Sequence, residues 1–68
     1  MEIVVNGRPQ AVPDESTLLD VLRSLSIDPS RVAIELNEEI VRKADWENTR
    51  LTSGARLEIV HFVGGGLR

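Results

Sequence analysis

Arg56-Leu57-Glu58-Ile59-Val60-His61-Phe62-Val63 is the longest alternating stretch of the chain, and it runs directly into Gly64-Gly65-Gly66-Leu67-Arg68. A period of two marks a half-buried strand, with Leu57 and Ile59 on one face and Glu58, Val60 and Phe62 on the other. Three consecutive glycines offer nothing to pack and lose the most conformational entropy on ordering. One domain is therefore expected over residues 1–63, followed by a flexible glycine-rich tail over residues 64–68. Such a tail is either an idle terminus, where small residues collect, or a chain end slim enough to thread a narrow channel.

Outward from that strand, the rest of the chain supplies a hairpin, a helix and further strands. Glu2-Ile3-Val4-Val5 is apolar and β-branched, and Asn6-Gly7 supplies the two positive-φ residues of a tight hairpin returning through Gln10, Ala11 and Val12. Pro13-Asp14 ends that strand, and Thr17 with Asp20 has the spacing of a capping box. Leu18, Val21, Leu22 and Leu25 then share one helical face, with Asp20, Arg23 and Ser24 on the other, and Asp28-Pro29 stops the helix. Val32, Ile34 and Leu36 alternate with Arg31, Ala33, Glu35 and Asn37, and Asn37-Glu38-Glu39 turns into a short strand, Ile40 to Arg42. Lys43 to Asn48 reads as a short helical turn packing Trp46 against the edge of the core, and Ser53-Gly54 as a turn before the last strand.

This order, ββαββ(turn)β, predicts an α+β fold of the β-grasp (ubiquitin-like) type: a mixed sheet of about five strands with one main helix on one face. First and last strands pair in parallel at its centre, joined by a right-handed crossover. The second face is left open, with Val4, Val60 and Phe62 on it.

Composition narrows the function classes. Sixty-eight residues make one small domain, near the lower limit for a self-supporting apolar core and too small for a deep catalytic cleft. With 41% hydrophobic and 28% charged residues, the chain is expected to fold. A net charge of −3 with only eight scattered Lys and Arg argues against nucleic acid, whose binding needs clustered basic residues. The absence of cysteine excludes a disulfide framework, thiolate metal sites and a thiol nucleophile, and fits a reducing cytosol. Neither a signal-peptide pattern nor an apolar run of membrane-spanning length occurs, so a cytoplasmic protein with no membrane partner is expected.

From Asn37 onward the pattern is more specific. Asn37-Glu38-Glu39-Ile40-Val41, Trp46, Leu51, Gly54 and the closing Leu57-Glu58-Ile59-Val60-His61-Phe62-Val63-Gly64-Gly65-Gly66 resemble the ThiS family of thiamine-biosynthesis sulfur carriers. The likeness extends back to Ile3 and Asn6-Gly7. It implies a protein that is a substrate and carrier, not an enzyme, and that binds no cofactor of its own. In such a carrier the Gly66 carboxylate would be adenylated by a ThiF-like adenylating enzyme using ATP. It would then become a thiocarboxylate, with sulfur from cysteine delivered through a persulfide by a donor such as a cysteine desulfurase. Thiazole synthase (ThiG-like) would accept that sulfur for the thiazole ring of thiamine. Gly64 and Gly65 would thread the tail into the activating enzyme, which must keep water from the acyl-adenylate.

Magnitudes explain why a folded part is needed. Val63 to Gly66 can reach about 13–14 Å when extended, and ordering four residues costs about 4–8 kcal/mol before any contact forms. A docking surface must offset that cost, and Val60, Phe62, Val63 and Val4 are its candidate residues. Phe62 could instead close the bottom of the core, but the strand phase sets it opposite Leu57 and Ile59.

One departure stands out. Leu67 and Arg68 follow Gly66, so the reactive carboxylate requires their removal, for which a JAMM-type processing protease is the expected agent. The same two residues would also be present if they were added during cloning, or if this relative had lost the carrier role. His61, the single histidine, lacks an evident triad partner and reads as a rim residue. Glu38 and Glu39 lack the further ligands that a metal needs, and with Asp14, Glu15 and Glu58 could steer the chain toward basic partner surfaces. A monomer that binds transiently is expected. Delivery to molybdopterin or a sulfur amino acid, and an inert ubiquitin-like interaction module, remain the alternatives.

Overall fold

The computed structural model describes residues 1–62; Val63 and the expected tail over residues 64–68 lie outside the described residues. Five strands and one α-helix follow in the order β1 (Glu2–Val5), β2 (Arg8–Ala11), α1 (Leu18–Ser24), β3 (Val32–Leu36), β4 (Glu39–Val41) and β5 (Arg56–His61). The sheet order is β2-β1-β5-β3-β4. β1 and β5 are parallel neighbours at its centre, while β1–β2, β3–β4 and β3–β5 are antiparallel. This is the mixed β-grasp sheet that the element order predicts.

The helix starts where its cap allows. Thr17 accepts a hydrogen bond from the Asp20 N–H at 3.1 Å, and the Asp20 carboxylate accepts one from the Thr17 N–H at 2.9 Å, so two otherwise orphaned donors are satisfied reciprocally. Its end differs from expectation. The helix stops at Ser24, ahead of Asp28-Pro29, with Leu25 as C-cap. Ser26 sits at φ 58°, its N–H donates to the Arg23 carbonyl at 3.1 Å and the Ile27 N–H to that of Leu22 at 2.9 Å. This double closure is the Schellman motif. Asp28 instead caps a separate 3-10 turn, Pro29–Arg31, by accepting from the Ser30 N–H at 2.9 Å.

Leu18, Val21 and Leu22 of α1 cover Ile3, Val32, Ile34, Leu57 and Ile59 of the sheet, and Val12, Trp46, Leu51 and Ala55 complete the buried core. Trp46 lies in a 3-10 helix, Lys43–Asn48, and its indole N–H donates to the Val41 carbonyl at 2.8 Å. The ring is thus buried without stranding its polar atom.

Two residues connect each hairpin. Asn6 and Gly7 have φ 50° and 82°, and Asn37 and Glu38 have φ 51° and 73°. Positive φ at both central positions matches the right-handed twist of the flanking strands. Glycine carries this conformation freely at Gly7, whereas Glu38 must hold its Cβ in a disfavoured region. Replacing Glu38 with Gly is expected to raise stability by about 0.5–1 kcal/mol, even though the exposed Arg56–Glu38 pair at 3.6 Å is lost; denaturant melts check this.

The cap also predicts a pH response. The Thr17 backbone N–H, and then its hydroxyl, hold the Asp20 carboxyl below its ordinary value of 3.8. Its contribution is therefore complete above that value and is lost as pH falls through the lowered one. Asp20→Asn is expected to lower stability near neutral pH and to reduce the further loss below 3.8, as followed by thermal melts across that range.

Candidate docking face

The helix covers one sheet face, and the register fixes what lies on the other. Glu35 stands opposite both Ile40 and Glu58, Ala33 opposite Val60, and Val4 opposite both Pro9 and Arg56. Phe62 continues past β5, held by its N–H donating to the Arg31 carbonyl at 2.9 Å. Val60 and Phe62 are 54% and 43% exposed, so Phe62 does not close the core. With Ala33 beside them they form a small apolar patch at the carboxyl end of the central strand.

The remaining candidates are distributed less compactly. Val4 is half-buried on the same face, but its register with Arg56 sets it four residues back from Val60, about 13 Å along the strand. Glu58 lies between. The structure therefore brings Val60 and Phe62 together and leaves Val4 in a separate spot beside Pro9. Val63, Gly64, Gly65 and Gly66 fall outside the described residues.

Ile40, to which the sequence pattern assigns no role, is 77% exposed on edge strand β4. The signal was its phase: the two-residue turn at Asn37-Glu38 sets Ile40 opposite Glu35, and thus on the open face. His61 is exposed at the sheet end, in phase with Leu57 and Ile59 but beyond the cover of the helix. Among the described residues, no group of three His, Cys, Asp or Glu side chains could hold a metal ion, and no helix is long and apolar enough to cross a membrane.

Comparison with known proteins decides the family. The sequence model of the ThiS family matches residues 2–66. The chain belongs to the ThiS family. It is 40% identical over 53 residues to the sulfur carrier protein ThiS of Bacillus subtilis, covering 78% of this chain and 80% of that protein. The thiamine biosynthesis protein ThiS from Geobacter metallireducens has a crystal structure with a TM-score of 0.84 and 29% identity, covering 97% of this chain and all of that one. A thiazole synthase of Paramagnetospirillum magneticum is 38% identical over 66 residues, which are 97% of this chain but 20% of that protein. The chain thus spans about a fifth of the length of the thiazole synthases it matches.

The exposure of Phe62 in this ThiS-family chain has a measurable consequence. Phe62→Ala is expected to cost less than about 1 kcal/mol, whereas Leu57→Ala, which empties a core site, costs about 2–5 kcal/mol. Urea unfolding of the two variants tests the assignment of faces.

Proposed function

We propose that this chain is a sulfur carrier and protein co-substrate of thiamine biosynthesis, with the carboxyl carbon of Gly66 as the loaded atom. The observation that carries the reading is the family match, which runs through the domain and ends at Gly66. Removal of Leu67 and Arg68, by a JAMM-type protease in this proposal, frees the glycine carboxylate. A ThiF-like enzyme then joins it to the AMP moiety of ATP with release of pyrophosphate. AMP is a good leaving group, so a persulfide sulfur from a cysteine desulfurase can displace it, and reduction of the resulting acyl persulfide linkage by a thiol leaves the thiocarboxylate.

The folded part serves recognition. Val60 and Phe62 offer apolar area with few torsions to freeze, close to the start of the segment that must enter the partner. Similarity to two proteins named thiazole synthase, each matched by 97% of this chain, favours a thiazole synthase as the sulfur acceptor over the molybdopterin and sulfur amino acid routes. The carrier acts as a monomer in the cytoplasm and meets each partner transiently.

The test is chemical. Protein ending at Gly66 is incubated with ATP, the activating enzyme and a sulfur source, and its intact mass is measured. Replacement of one carboxyl oxygen by sulfur is expected, and Phe62→Ala is expected to lower kcat/KM about tenfold, in line with loss of an aromatic anchor. An unchanged mass would favour an inert interaction module. Transfer to thiazole synthase with its small-molecule substrates then distinguishes the acceptor, and intact mass of the native protein shows whether Leu67 and Arg68 are removed.

A further inference from the structure

β1 leaves the side of β5 early. The Val4 N–H donates to the Ala55 carbonyl at 2.9 Å and the Asn6 N–H to the Leu57 carbonyl at 2.8 Å, after which the chain turns into β2 at Asn6-Gly7. The next β5 residue facing that side is Ile59, and no β1 backbone reaches it. The Asn6 side chain does. Its Oδ1 accepts from the Ile59 N–H at 2.7 Å and its Nδ2 donates to the Ile59 carbonyl at 3.2 Å, so one side-chain amide replaces the absent peptide group of a parallel ladder.

Beyond that bridge, the β1 side of β5 borders a shallow groove lined by Leu25, Ile27 and His61. On the other side, the Phe62 N–H is bonded to Arg31. Asn6 and Arg31 therefore hold the last stretch of β5, which carries Val60 and Phe62. A second asparagine does the same at the opposite end: Asn37 Oδ1 accepts from the Arg56 N–H at 3.0 Å from the equivalent position of the other hairpin turn.

We infer that Asn6 is a positioning residue for the carrier reaction, its amide holding Ile59 so that the docking patch and the exit of the C-terminal segment stay in one orientation. This rests on the carrier reading above. Without the bridge, residues 60–62 fray, and a partner must order them as well as the segment that follows. Asn37 holds the end of β5 remote from that exit and supplies the matched control.

The experiment compares Asn6→Gly, which keeps the positive-φ turn and removes only the side chain, with Asn37→Gly and the unaltered sequence, all ending at Gly66. Asn6→Gly is expected to raise KM for the carrier in the adenylation reaction about tenfold with kcat nearly unchanged, and to speed amide exchange at Ile59 and Phe62. Asn37→Gly is expected to leave KM and those amides unchanged. Should the glycine variant not fold, Asn6→Asp, which keeps the acceptor and loses the donor, must show a smaller KM rise in the same direction. Equal KM for the position-6 variant and the unaltered chain, or an equal rise in Asn37→Gly, overturns the role while leaving the carrier reading intact. Failure of the unaltered chain to be adenylated overturns both.

Discussion

Strand β5 must be bonded along both edges in the middle of the sheet and still deliver its end to the surface. In a parallel pair the neighbouring strand has to come from far away in sequence, here across the helix, and cannot follow β5 beyond its own hairpin. The pairing of β1 with β5 therefore dictates the rest. It sets Val5 beside Leu57 with Ile3 in the core, forces β2 to an edge, and leaves β3 as the partner that accompanies β5 from Leu57 to His61. The shortfall on the β1 side is met by one asparagine amide.

Both hairpin turns contribute beyond reversing the chain. Asn6 and Asn37 each occupy the first central position at positive φ, which asparagine tolerates better than most residues. Each also spends its side-chain oxygen on a β5 amide. The two demands coincide in one residue type: a short amide that accepts left-handed backbone and can imitate a peptide group. A glycine at either position would meet only the first.

Much of this was legible in the chain. Asn6-Gly7, the Thr17/Asp20 box, the apolar stripe of α1 and the alternation from Arg56 onward are local signals with local physical causes, and they determine the elements and their order. Less legible were features set by tertiary context. Ser26 at a left-handed C-terminal position carries no glycine to announce it, so Asp28-Pro29 is the only stop that the residue types advertise. Pro9 sits within β2, paired with Val4, which an edge strand permits because its outer side needs no donor. The separation of Val4 from Val60 depends on the β1–β5 register, and alternation within a strand cannot reveal the register between strands.

The open face presents its apolar area in separate pieces. Ile40, Val60 with Phe62, and Val4 with Pro9 form three separate apolar spots, and Glu35 and Glu58 stand between them, directly opposed across β3 and β5. Like charges so placed cost a few tenths of a kcal/mol or more. That cost interrupts what would otherwise be a continuous apolar strip across the sheet centre, the kind of surface that pairs indiscriminately. At the end of the central strand, what remains is an apolar patch of two large side chains, Val60 and Phe62. On the carrier reading proposed above, a lasting grip would need a partner that also engages the residues following Phe62, and selectivity would then arise from requiring both contacts at once.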